Sequence, residues 1–320
     1  MDALVEQVME PQRVQPRSVN IETFAWGYNG EDKLQGMSEM LQKMGITVNA
    51  YLPAADLQTI KKAPRAALNI VRRKKWALAM EQRFGTPFLH VADMQEWHGI
   101  EGISDLYRQI GKMLGCENAV ERVLQEEYER VAARYQELRA DFAKYKFCLI
   151  AHGIAYLPDA LRVYQQDYGL PITKICIIMN PSYQAETGLD DAMMQRFKDR
   201  IELAKAEYGC DAEILLEPSE DALREAAQSC DFVICNGHPR YAALDVPVLY
   251  NLFDRSVWSY QGFVDIMEEV WQMLQQPQRT GSNLLLSKLA YDPVFYPMRE
   301  ADKDSKASRE LYSRVWRQRK

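Results

Sequence analysis

Four histidines punctuate a chain of 320 residues, and two of them, His152 and His238, come directly after apolar stretches that read as buried strands. An imidazole at such a place can donate a hydrogen bond, pass a proton near neutral pH or bind a metal, and it can equally fill a plain structural or surface role. The segment Asn236-Gly237-His238-Pro239-Arg240 is the more informative of the two loops. Its glycine lets a ligand approach the backbone, while the imidazole and guanidinium supply a polar group and a cation that suit an anion. On that chemistry His238 is the candidate catalytic proton donor and Arg240 the anion anchor. His152, Gly153, Tyr156, Asn236 and Gly237 complete the expected ligand site, in a cleft between two domains. Trp26-Gly-Tyr-Asn-Gly is a third loop of this kind. Asp254 and Arg255, ahead of Trp258, Tyr260 and Gly262, suit a subunit interface, a cofactor cleft or a structural ion pair. Trp97-His98 reads as an exposed loop.

Other signatures are missing. The chain contains no G-x-S-x-G elbow, no G-x-x-x-x-G-K-[ST] phosphate loop, no H-E-x-x-H helix and no G-x-G-x-x-G turn. A stand-alone hydrolase or nucleotide enzyme is therefore not expected, and a reductase with a soluble nicotinamide cofactor ranks behind every other reading. The six cysteines, Cys116, Cys148, Cys176, Cys210, Cys230 and Cys235, include no C-x-x-C pair, so the reading is buried thiols rather than a metal motif, and no metal ligand is assigned.

The elements that must position these loops alternate. Strands are expected at 18–24, 46–51 and 66–71, with helices at 33–44, 56–62 and 74–84, the last closed by Gly85. Leu34, Met37, Leu41 and Met44 recur at helical spacing. Residues 99–145 read as one long helix whose charged run from Glu121 is a solvated face. A second alternation follows, with strands near 146–151, 174–179, 212–216 and 231–235 and an extended segment at 246–250. Helices are expected at 157–168, 190–208, 219–228 and 261–274. Strands alternating with helices imply parallel sheets covered on both faces, with ligands beyond the carboxyl ends of the strands. The expected architecture is α/β: two Rossmann-like three-layer domains with parallel sheets, joined by a long helix. The expected boundaries are an N-terminal arm at 1–17, the domains at 18–145 and 146–277, and a polar tail at 278–320. The basic end of that tail reads as a frayed terminus or a docking segment.

Composition sets outer limits. Apolar residues at 47% and charged residues at 26% describe an ordinary packed protein. A net charge of -6 argues against nucleic acid held by broad phosphate neutralisation. No apolar run approaches the roughly 20 residues that cross a bilayer, so no membrane partner is expected. Unpaired cysteines fit a reducing cytoplasm.

The order of several segments resembles the component 1 family of nitrogenases and nitrogenase-like oxidoreductases. Val19-Asn-Ile, then the run from Gly30 to Ile46 ending in Met44-Gly45-Ile46, is similar to that family's strand, loop and helix. Ala66-Ala-Leu-Asn-Ile-Val and Met80-Glu-Gln-Arg-Phe-Gly-Thr-Pro resemble its next strand and "M-E-x-x-x-G-x-P" segment. Cys230-Asp-Phe-Val-Ile-Cys-Asn-Gly-His, Val246-Pro-Val and Asp254-Arg-Ser-Val-Trp-Ser-Tyr-Gln-Gly follow in the family's order. The resemblance covers most of residues 18–274. It implies an oxidoreductase subunit or fragment that takes part in electron transfer within a larger reductase. A related component 1 subunit or self-association, and a reductase electron donor, are the implied partners.

The chain also departs from the family pattern. Members normally begin with a further domain carrying iron–sulfur cysteines, and no segment here supplies it, so an iron–sulfur or metal cluster is expected only with a partner chain. Where catalytic α-subunits carry a cluster-binding cysteine after the "L-N-x-V" strand, this chain reads Leu68-Asn-Ile-Val-Arg72-Arg73-Lys74-Lys75. Asn251 stands near the family's second ligand position. The four cations suit an anionic cofactor, precursor or partner surface, or a solvated helix start. The alternative function is a non-catalytic scaffold or carrier for a metal-cluster precursor or tetrapyrrole-like cofactor.

Overall fold

Two sets of parallel strands organise the chain. The computed structural model describes residues 1–23, 30–91, 96–152, 157–179, 190–235, 241, 244, 246–250 and 258–275. They fall into two compact units, Met1–Tyr135 with Phe253–Ile266 and Gln136–Leu252 with Met267–Lys320.

In the first unit β1 (Gln15–Glu22), β2 (Thr47–Leu52), β3 (Ala66–Val71) and β4 (Phe88–His90) form a sheet in the order β2-β1-β3-β4. Every pairing is parallel. Helices α1 (Asp2–Gln7), α2 (Gly30–Lys43), α3 (Leu57–Lys61) and α4 (Lys74–Phe84) interleave with the strands. The Asp56 carboxylate caps α3 by accepting from the Gln58 and Thr59 amides. Leu34, Met37, Met40 and Leu41 on α2, with Met44 just past its end, form the buried stripe that spacing implies. Val5 and Met9, from the first nine residues, pack in a core cluster with Ala50, Leu52, Trp76 and Met80, so this stretch contributes core to the unit.

Three local expectations are corrected. Strand β4 was not anticipated, because three residues are too short for a period to show. The single helix expected over 99–145 is two, α5 (Gly99–Leu114) and α6 (Glu117–Phe142). Gly115 ends α5 in the left-handed region at φ 62°, where its amide bonds Gly111 O. The apolar period continues past the break in Val120, Val123 and Leu124, which is why the sequence reads as uninterrupted. Trp97 and His98, expected in an exposed loop, are 4% and 1% exposed. The His98 ring lies edge-on to Phe263, 5.6 Å between centroids.

Close approach fixes the α5 connections. A Cβ on Gly102 would lie 2.5 Å from Glu96 O, and one on Gly111 would lie 2.7 Å from Val120 Cγ2. Both positions need hydrogen in place of a side chain.

In the second unit β5 (Phe147–His152), β6 (Ile172–Ile178), β7 (Glu213–Leu216), β8 (Phe232–Cys235) and β9 (Val248–Tyr250) form a parallel sheet in the order β7-β6-β5-β8-β9. Helix α7 (Leu157–Leu161) continues as a π-helical segment, Arg162–Tyr168. Arg162 Nη1 lies 3.1 Å from Asp167 Oδ2, and this five-residue separation suits the wider turn. Helix α8 (Asp191–Glu207) is capped by Asp190 and α9 (Glu220–Gln228) by Ser219, each side chain accepting an amide hydrogen. The core on one sheet face includes Cys148, Ile150, Cys176, Leu223, Val233 and Val248. The chain's last described helix is α10 (Tyr260–Gln275). The two parallel α/β sheets match the fold class expected from sequence.

Candidate functional site

Strand order decides where an open parallel sheet binds ligands. In the second unit the chain passes from β5 through β6 to β7 on one side, then returns to place β8 on the other side of β5. The crevice at the carboxyl ends of β5 and β8 is therefore a topological switch point. Ile150 pairs with Cys235 across these strands, and β5 continues to His152, so both strands end at the same sheet edge. Gly153 and Tyr156 follow β5 in the chain, and Asn236, Gly237, His238 and Arg240 follow β8. These six residues lie outside the described residues, as does the loop 26–29 after β1, while the His152 backbone closes β5.

The same edge carries a strained residue that sequence reading passed over. Glu217, immediately after β7, has φ 48°, a conformation that costs a non-glycine residue about 1 kcal/mol or more. Its carboxylate accepts from the Met179 amide at the end of β6. The side chain thus ties together two neighbouring strand ends beside the switch point.

In the first unit the switch point lies between β1 and β3. Here the protein's own carboxylate takes the place where the helix amides would meet an anion. Glu22, the last residue of β1, is 0% exposed. Its Oε2 accepts from the backbone N–H of Arg72 at 2.8 Å and of Arg73 at 3.1 Å, and its Oε1 accepts from Arg73 Nε at 2.8 Å. Arg73 is the N-cap residue of α4, so the carboxylate sits at the positive end of that helix. Arg73, expected to meet an anionic cofactor, partner or solvent, meets Glu22. The Arg72 carbonyl lies 3.0 Å from His90 Nε2.

Behind this edge is a buried amide ladder. Asn20 donates to Ala63 O at 2.9 Å and to Asn69 Oδ1 at 2.8 Å, and accepts from Asn49 Nδ2 at 2.8 Å. These bonds connect β1, β2 and β3 and fix their alignment at the site.

All six cysteines are buried and free. Among the described residues no group of three or more His, Cys, Asp or Glu side chains is placed to hold a metal ion. The described residues therefore do not fit an iron–sulfur cluster by themselves. Also among them, no helix is long and apolar enough to cross a membrane.

Two units, each built on an open parallel sheet flanked by helices, define an α/β protein. A nitrogenase component 1 type oxidoreductase model matches residues 1–275. The chain belongs to that family.

Curated relatives are light-independent protochlorophyllide reductase B subunits. The protein of Zygnema circumcarinatum is 31% identical over 99 residues, 29% of this chain and 18% of the relative. That of Angiopteris evecta is 25% identical over 169 residues, 51% of this chain and 31% of the relative. The matches thus span less than a third of these relatives' length. A solved structure, nitrogenase Cp1 at pH 6.5, aligns with a TM-score of 0.56 at 14% identity, covering 86% of this chain and 62% of that one. That likeness shows a shared fold.

Proposed function

We propose that this chain is a component 1 type subunit that takes part in electron transfer within a larger reductase. A related component 1 chain supplies the cluster ligands, and a separate reductase donates electrons. The family match over residues 1–275 carries this reading. In this reading any iron–sulfur cluster is held only in a complex with a partner chain. The relatives' names add protochlorophyllide, and hence tetrapyrroles, to the ligand chemistries worth testing.

Within this reading the ligand meets the loops after β5 and β8. His238 delivers a proton, Arg240 holds an anionic group, and His152, Gly153, Tyr156, Asn236 and Gly237 shape the contact surface. The adjacency of β5 and β8 supports this choice, since the two loops leave neighbouring strand ends.

The test is anaerobic purification from the native host, followed by electron paramagnetic resonance of the reduced complex and turnover of His238→Ala and Arg240→Ala variants. The expected result is an iron–sulfur signal that co-purifies with a second component 1 chain, and turnover lowered in both variants. Unchanged ligand binding and turnover would remove His238 and Arg240 from the site. A complex that binds a cluster precursor or tetrapyrrole without reducing it would replace the reductase reading with that of a scaffold or carrier.

A further inference from the structure

One edge of the second sheet is bare. Strand β7 stands first in the order β7-β6-β5-β8-β9, so its outer side has no strand beside it among the described residues. Glu213 on it is exposed, and Ile214, Leu215 and Leu216 are only half-buried. An uncovered edge of this kind invites another segment. Between β7 and α9 runs an open groove of about 230 Å³. Leu215, Ala222 and Ala226 supply its apolar lining, and Glu213 and Glu225 supply negative charge. The Lys174 ammonium, also in the lining, is taken up by Glu213, whereas Glu225 forms no ion pair among the described residues. Ser229 completes the lining, and its hydroxyl donates to Ala226 O at 2.7 Å. Cys230, its neighbour, lies 3.3 Å from Thr173 Oγ1 and 3.8 Å from Ser229 Oγ and is outside the lining.

The described chain stops at Gln275, the end of α10, whose side-chain amide donates to Tyr145 Oη at 3.2 Å. Tyr145 lies edge-on to Phe232, the first residue of β8, with 5.4 Å between centroids. Ser229 stands just ahead of that strand, and Glu213 is the first residue of β7. The chain therefore leaves the second unit at the amino-terminal end of its sheet, the end at which the groove lies. Beyond Gln275, residues 309–320 read Arg-Glu-Leu-Tyr-Ser-Arg-Val-Trp-Arg-Gln-Arg-Lys. Arg309, Arg314, Arg317, Arg319 and Lys320 stand there against Glu310 alone, opposite in sign to the groove. Leu311, Tyr312, Val315 and Trp316 recur at the spacing of one helical face.

We propose that residues 309–320 dock in this groove of their own chain, with Trp316 as the anchor. The groove has room for one large aromatic side chain, and Leu215, Ala222 and Ala226 offer its ring an apolar surface. Ser229 Oγ, whose proton is already spent on Ala226 O, keeps its lone pairs for the indole N–H. Lys320, one helical turn beyond Trp316, meets the Glu225 carboxylate. At about 3.3 Å per residue the chain after Gln275 reaches the groove with length to spare. Because the segment is tethered, it meets the groove at an effective concentration of up to about a millimolar, which favours it over a free peptide of the same chemistry.

The test treats the folded full-length protein with a water-soluble carbodiimide, which joins a lysine amine to a carboxylate in contact with it. Denaturing electrophoresis separates chains of monomer mass from joined pairs, and mass spectrometry maps the links in each band. In the monomer band Lys320, the one lysine of the segment, should be joined to Glu225 or Glu213. Trp316→Ala should lower the yield of that link at least about tenfold, the loss of a buried aromatic anchor. Phe295→Ala, an aromatic change outside the segment, should leave it as in the wild type. Ala222→Leu, which fills the groove, should lower it as Trp316→Ala does, and should Ala222→Leu fail to fold, Trp316→Ala decides alone. An unchanged yield in Trp316→Ala, or no Lys320 link to either carboxylate, would overturn the proposal. The link found only in the dimer band would also overturn it and assign the groove to a second copy.

Discussion

Replacing Glu22 by alanine removes an acceptor that holds three donors at the end of β1. Hydrogen bonds to a charged group contribute about 1.5–3 kcal/mol each, and truncating one partner leaves the others unmet. That maximum is not reached here. The Arg73 side chain is 56% exposed, so its guanidinium recovers solvation and that arm contributes at the ~0.5 kcal/mol scale of open ion pairs. The larger loss comes from the amides of Arg72 and Arg73, which keep helix α4 against β1. Both amides share the one oxygen Oε2, so their terms do not add in full, and a total of about 2–3 kcal/mol is expected. Glu22→Gln keeps an acceptor oxygen but loses the charge, and should cost about 1 kcal/mol. Two measurements check this. Urea unfolding followed by fluorescence of Trp76, buried on α4, should show the midpoint fall in the order wild type, Glu22→Gln, Glu22→Ala. Hydrogen exchange at the Arg72 and Arg73 amides should speed up by about 30- to 150-fold in Glu22→Ala, the same free energy read locally. An unchanged midpoint together with unchanged exchange at both amides would refute the view that this carboxylate anchors the strand-end turn.

Three further outcomes follow from geometry already given. Gly111→Ala places a Cβ 2.7 Å from Val120 Cγ2, so α5 and α6 must shift, at about 1–3 kcal/mol in a thermal or chemical unfolding series. Pairing it with Val120→Ala, which removes the clashing methyl, should recover part of that loss. Asn20→Ala cuts bonds to Ala63, Asn49 and Asn69 at once and should destabilise the first unit by about 2–3 kcal/mol, checked by denaturant unfolding. Alkylation of Cys230 should rise with pH around a midpoint of about 6, against an ordinary 9.0. Because its folded pKa is depressed, the associated stabilisation is present in full above the unfolded value and is lost as pH falls through about 6. A midpoint for Cys230 equal to that of Cys210, by mass-resolved alkylation, would contradict this assignment.

Much of this architecture is visible in local sequence because local chemistry sets it. Strand β3 was expected at its observed residues, and α4 runs to the Gly85 stop that the sequence marks. Ser219 and Asp190 announce their helices because a hydroxyl or carboxylate beside the first turn satisfies an open amide. What escaped the sequence depends on partners far along the chain. Nothing in the strand expected at 18–24 marks Glu22, because its donors lie 50 and 51 positions away. Trp97 and His98 read as an exposed loop, yet the ring that meets His98 belongs to Phe263. Cys148 on β5 and Cys176 on β6 bring their sulfurs within 3.9 Å, and no C-x-x-C spacing marks them. The candidate loops after β5 and β8 were nominated from strand-end position alone, and the strand order supplies the separate fact that those strands are neighbours.

The most direct test of the central claim is native mass spectrometry of the anaerobic complex that contains this chain, taken from its own host with bound clusters preserved. One spectrum reads partner and cofactor together. A complex pairing this chain with a cysteine-rich component 1 chain, with mass in excess of the polypeptides that matches iron–sulfur cargo, is the expected result. A metal-free chain or homodimer, found in several independent preparations, would contradict the electron-transfer reading.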